Sequence, residues 1–218
     1  TLSTAFTEKP LKDCEVTPVH YPLYPVSHHL TFHSLIADCC TEYHDLVLFE
    51  SSRGQTTYGE FARQIVAGCK QLSAFHERYI LITAVRTDLF AVALFSTVLS
   101  GNIACIANPA DGDAVDLFRA LSPAACVAEE TVLGWTRGAT SCGDDFTRLS
   151  QGNPSEPDRP AVILCSSGTT SKPKGICLSQ RNLCSCTEAG IQLLRYPKGC
   201  RYVSVLPMFH AFGIVGDL

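Results

Sequence analysis

Ser166-Ser167-Gly168-Thr169-Thr170-Ser171-Lys172-Pro173-Lys174-Gly175 is the stretch on which the reading of this chain turns. Two glycines, five hydroxyl side chains and two lysines fall within these ten positions. Glycine lets the backbone bend sharply, so that successive N–H groups can converge on one anion. Hydroxyls add donors for phosphate oxygens, and a lysine adds a mobile positive charge. The same residue types also build ordinary polar surface turns, so composition leaves a phosphate cradle and a solvated turn both open. The spacing excludes a Walker A loop, because Lys174 is preceded by Pro173 and followed by Gly175 rather than by Ser or Thr. It is not a G-x-G-x-x-G turn either.

Outward from this stretch, the pattern predicts an α/β fold. Ala161–Cys165 is an apolar strand leading into the loop, and Gln180–Leu194 has helical spacing after it, so the loop is expected to join a strand to a helix. Upstream, Tyr79–Val85, Ile103–Ala107 and Ala124–Ala128 are short, continuously apolar runs, as expected of strands buried on both faces of a parallel sheet. Between them, helices are predicted over Gly59–Phe75, from Thr87-Asp88 as cap to Ser100, and over Asp111–Leu121. Thr31–Tyr43 carries Phe32, Leu35, Ile36, Cys39 and Cys40 on one helical stripe. Leu46–Phe49 and Gln55–Tyr58 form a hairpin about Ser52-Arg53-Gly54. Tyr202–Leu206 is a further predicted strand. Residues 1–30 read as an extended Pro- and His-containing arm, and Gly138–Pro160 as a loop or linker. Strand, helix and strand in alternation give a largely parallel sheet layered with helices.

Composition limits the function. The net charge of −4 supplies no positive field to gather nucleic acid or anionic lipid. The longest apolar run, Leu89–Leu99, is short of the roughly 20 residues needed to span a bilayer. Residues 1–30 lack the apolar core of a secretion signal. The 12 cysteines show no CxxC pair and no zinc-finger spacing. Cys105, Cys126, Cys165 and Cys177 lie in apolar runs, where Cys serves as a small hydrophobe. Free thiols in a reducing cytoplasm are the expectation.

Ser-Ser-Gly-Thr-Thr-x-x-Pro-Lys-Gly resembles the phosphate-binding signature of the adenylate-forming enzymes, which include acyl-CoA synthetases, aryl-CoA ligases, firefly luciferase and the adenylation domains of peptide synthetases. Thr57-Tyr58-Gly59-Glu60-Phe61, the Leu99–Pro109 turn and strand, and Leu206-Pro207-Met208-Phe209-His210-Ala211-Phe212-Gly213 resemble further elements of that family, in its order. Ser171 departs from the pattern, since most relatives have glycine there.

The resemblance implies that residues 31–218 are the N-terminal part of an AMP-binding large domain. The rest of that domain and a small C-terminal domain would lie beyond Leu218. It implies activation of a carboxylic acid by ATP as an acyl-adenylate, then transfer to a thiol, coenzyme A or a carrier-protein pantetheine. Ser166, Ser167, Gly168, Thr169, Thr170, Ser171, Lys174 and Gly175 would surround the leaving pyrophosphate. Mg²⁺ would bridge the phosphates, with its protein carboxylate beyond Leu218. His210 would lie beside the substrate carboxylate. On its residues alone, His210 reads as a packed core histidine, and only the Leu-Pro-x-x-His context favours the substrate-side role. The alternative for the whole chain is a nucleotide-binding module that has kept the fold and lost the reaction.

Overall fold

In the computed structural model, residues 31–51, 54–139, 157–166, 174–195 and 201–217 are described. The expected N-terminal arm and most of the Gly138–Pro160 linker lie outside them. The first helix, α1 (Phe32–Glu42), starts where Thr31 and Ser34 exchange side-chain and backbone hydrogen bonds in a capping box. It buries Phe32, Ile36 and Cys40, spaced by four. Next come the antiparallel strands β1 (Val47–Ser51) and β2 (Gly54–Thr57). Thr57 then caps α2 (Tyr58–Leu72): its hydroxyl accepts from the Glu60 N–H at 3.1 Å, while its own N–H donates to Glu60 Oε2 at 2.8 Å. Glu60 is therefore a helix-capping residue.

The chain continues as β3 (Tyr79–Ile82), α3 (Thr87–Leu99), β4 (Ile103–Ile106), α4 (Gly112–Arg119), β5 (Ala125–Val127) and α5 (Glu129–Gly138). It resumes with β6 (Pro160–Ser166), β7 (Lys174–Ser179), α6 (Gln180–Leu194) and α7 (Ala211–Asp217). Five strands form one sheet in the order β5-β3-β4-β6-β7, with every pairing parallel except β6–β7. The period-two alternation of strands divides the core. Ile80, Ile82, Ala104, Ile106, Val162 and Leu164 join the large cluster with α1, α2, α3 and α5. Leu81, Cys105 and Ala107 face the other way, onto Val115 and Phe118 of α4. Helix α3 is buried nearly all round, which explains its continuously apolar sequence.

Four sequence expectations are corrected here. β3 ends at Ile82 rather than Val85, because the Val85 and Arg86 N–H groups donate to the Glu129 carboxylate instead of to a neighbouring strand. Thr87 and Asp88 do not cap α3. Arg86 holds the cap position without a side-chain cap bond, and Asp88 pairs with the Arg86 guanidinium at 2.6 Å. Residues 202–206 are not a strand: they join neither described sheet, and Val203 and Val205 are 81% and 76% exposed. Cys126 and Cys177 are exposed rather than packed, because they lie on the two edge strands beyond the cover of α4. Cys105, in register between them, is the buried one. Two elements went unread in the sequence, α5 and β7. No described helix is long and apolar enough to cross a membrane.

Candidate functional site

From β3 the chain steps to β4 on one side and then returns to place β5 on the other side of β3. The helices making these two connections, α3 and α4, lie on opposite faces of the sheet. In such a sheet, ligands collect outside the carboxyl ends of the strands, near the point where strand order reverses. β6 is parallel to β4, so Ser166, its last residue, is delivered to that same end.

Ser166 and Lys174 are register partners across the β6–β7 hairpin, and the Ser166 hydroxyl donates to the Lys174 carbonyl at 3.3 Å. The intervening loop thus opens from a closed, strand-paired base. Its members Ser167, Gly168, Thr169, Thr170 and Ser171 lie outside the described residues. The expectation that the loop leads directly into a helix is corrected, since the six residues of β7 intervene. Lys174 and Gly175 are strand residues with defined directions, and Lys174 is exposed. A Cβ on Gly175 would lie 3.1 Å from Ile163 Cγ2, so glycine lets β7 lie tightly against the sheet. After β7, Ser179 and Asn182 form a capping box that starts α6.

His210 precedes α7. Its N–H donates to the Pro207 carbonyl at 3.1 Å, and its ring lies 4.8 Å from that of Phe209. Met208 is fully buried in the large core cluster, whereas His210 and Phe212 are exposed. His210 is therefore a surface residue on a buried anchor rather than the packed core histidine its apolar neighbours allowed. No hydrogen bond among the described residues joins it to Ser166, Lys174 or Gly175.

A separate open cleft of about 880 Å³ lies between α1, β1, the start of α3 and residues 201–204. Leu35, Phe49, Phe61 and Phe95 make its apolar wall. The Arg86–Asp88 pair and an Arg201–Glu50 pair stand at its polar side. None of the sequence-picked site residues lines it. Among the described residues, no group of three or more His, Cys, Asp or Glu is placed to hold a metal ion.

Two supporting residues escaped the sequence reading. Gln180, 1% exposed, accepts the Phe32 N–H at 3.0 Å and so ties the start of α1 to the start of α6, just after the hairpin. Glu129 holds the turn from β3 into α3. Polar residues at the first positions of a helix carry a weak signal for such long-range bonds, because the same residues are common there for local reasons.

The model of one protein family, described as AMP-binding enzyme, matches residues 107–218, which include the β6–β7 hairpin and His210. The chain belongs to the AMP-binding enzyme family. Among curated relatives, the chain is 40% identical over 62 residues to an oxalate–CoA ligase of Arabidopsis thaliana, covering 28% of this chain and 12% of the relative. It is 38% identical over 64 residues to a CoA ligase of Gibberella moniliformis, covering 29% and 11%. Among solved structures, ATP-bound MatB from Rhodopseudomonas palustris aligns with a TM-score of 0.68 at 20% identity, covering 86% of this chain and 42% of that one. The NpsA N-terminal subdomain of Klebsiella oxytoca aligns with a TM-score of 0.68 at 15% identity, covering 85% and 50%. This AMP-binding chain thus shares the fold of those enzymes and spans half or less of their length.

Proposed function

We propose that residues 31–218 form the N-terminal part of an AMP-binding large domain whose complete protein is an acid–thiol ligase. In the first step, a carboxylate oxygen attacks the α-phosphorus of ATP and pyrophosphate leaves, giving an acyl-adenylate. In the second, a thiol attacks the acyl carbon, the C–O bond to AMP breaks, and the thiol proton is released. Coenzyme A is the preferred thiol, because the curated relatives are CoA ligases. The observation that carries this reading is the family match over 107–218, which holds both the hairpin at the carboxyl end of β6 and the His210 segment.

Phosphoryl transfer depends on positioning and on neutralising charge. On this reading, the loop from Ser166 to Gly175 surrounds the β- and γ-phosphates. Thr169 and Thr170 donate hydroxyls, and Lys174 neutralises the leaving pyrophosphate. Ser166 closes the base of the loop through its bond to the Lys174 carbonyl, and its hydroxyl proton reaches a phosphate oxygen only by leaving that carbonyl. His210, exposed and carried at the start of α7, is free to donate to the substrate carboxylate. A Mg²⁺ ion would accompany the nucleotide. The nine described cysteines are free thiols, which supports a reducing, cytoplasmic setting.

The test uses the full-length protein, ATP and a panel of carboxylic acids, with hydroxylamine to trap adenylate. Acid-dependent hydroxamate and pyrophosphate release support the reading. Adenylate without coenzyme A consumption redirects the second step to a carrier-protein thiol. ATP binding with no hydroxamate from any acid favours the non-catalytic module.

A further inference from the structure

We infer that Gly213 is a positioning residue for His210, acting through the backbone carbonyl of Pro207. The inference rests on the active-site reading of His210 given above. Because the His210 side chain is exposed, its placement comes from its backbone and from the adjacent Phe209 ring. That backbone is held from both sides: its N–H donates to the Pro207 carbonyl at 3.1 Å, and its carbonyl accepts from the Ile214 N–H at 3.2 Å. The two outer groups are fixed to the core, since Met208, next to Pro207, is fully buried and Ile214 is 4% exposed.

Gly213 closes this unit. A Cβ there would lie well inside contact distance of the Pro207 carbonyl oxygen, 2.9 Å from the Pro207 carbonyl carbon and 3.2 Å from Met208 Cα. All three are backbone atoms, so no change of side-chain rotamer relieves the overlap. α7 could accept a side chain at 213 only by moving away from Pro207, and the His210 N–H is bonded to that same carbonyl. Gly216, on the same helix, has no such constraint, because its Cβ would meet only ring and methyl carbons at 3.8–4.0 Å.

Two readouts on the full-length protein test this. The first is the rate at which diethylpyrocarbonate modifies His210, followed by peptide mass spectrometry against His76, an exposed histidine elsewhere on the chain. Gly213→Ala is expected to change the His210 rate several-fold, with His76 unchanged, and Gly216→Ala to leave both unchanged. The second is a double-mutant cycle on acid-dependent pyrophosphate exchange. Gly213→Ala is expected to lower kcat or raise the acid KM at least tenfold while ATP KM holds, and to have little further effect in a His210→Ala background.

An unchanged His210 modification rate overturns the inference, as does an additive cycle when His210→Ala by itself lowers exchange, or a Gly213→Ala protein that no longer melts cooperatively. If His210→Ala leaves exchange untouched while Gly213→Ala still alters His210 modification, the positioning stands and the active-site reading of His210 fails.

Discussion

Lys174 meets Ser166 across the base of the hairpin, and its exposed side chain contributes nothing to the described core. Lys174→Ala and Thr169→Ala in the full-length protein should therefore cost catalysis and not folding. A lost charged or polar contact to the phosphates is worth about 1–3 kcal/mol in kcat/KM for ATP, with the melting temperature unchanged. Adenylation kinetics equal to wild type in both variants would return the loop to an ordinary polar turn. The buried thiols give a second expectation. Burial pushes Cys69 up to about 12, and burial reinforced by nearby Cys177 does the same for Cys105. Burial and the neighbouring Cys39 raise Cys40 to about 12. In the unfolded chain these groups ionise near 9.0, the ordinary value. Above that pH the unfolded state has lost protons that the native state keeps, so unfolding is favoured. Their stabilising effect is complete below about pH 9 and is lost progressively toward 12. Melting temperatures measured from pH 8 upward should fall along this range, and more gently in Cys105→Ala; an equal slope in both proteins would show that Cys105 does not contribute.

At the scale of elements, the Thr57–Glu60 and Ser179–Asn182 capping boxes and the glycine stop at Gly101, φ +80°, are short-range devices, yet the sequence reading named neither box and placed a cap at Thr87-Asp88, where none forms. Helix α5 was missed because only Val132 and Trp135 of its residues are buried, so its apolar stripe is thin. Strand β7 was missed because a short edge strand after a glycine-rich loop has no alternation to reveal it, and its last two residues alone are half-buried. The false strand at 202–206 has the apolar composition of a strand, but strands exist only by pairing. Close contact between elements gives the prediction at this scale. A Cβ at Gly68 of α2 would lie 2.7 Å from Ser96 Cβ on α3 and 2.9 Å from the Trp135 ring on α5. Gly68→Ala should therefore force the three helices apart. The overpacking outweighs the helix propensity gained, for a net loss of about 1–3 kcal/mol in chemical denaturation. A neutral or stabilising result would show that α2 and α3 separate at Gly68 without cost.

At the scale of the molecule, the β6–β7 hairpin and the His210 segment share one core cluster, and the Thr187 hydroxyl of α6 donates to the Val215 carbonyl of α7 at 3.4 Å, yet the chain spans half or less of the enzymes whose fold it shares. Residues 1–218 alone should therefore give no acid-dependent ATP–pyrophosphate exchange, while the full-length protein does. Robust exchange by residues 1–218 would overturn the proposed boundaries of the large domain. The sequence alone determined the α/β class, the central apolar helix, the strand before the loop and the family, because hydrophobic period, caps and a long motif are local properties of consecutive residues. Only the tertiary structure decided that β7 folds back antiparallel on β6, that Cys105 is buried while Cys126 and Cys177 on the same register line are exposed, and that Gly213 lies against the Pro207 carbonyl. Each of these depends on which distant or facing groups arrive at a given place, and that arrival is set by strand pairing and packing rather than by neighbours in the chain.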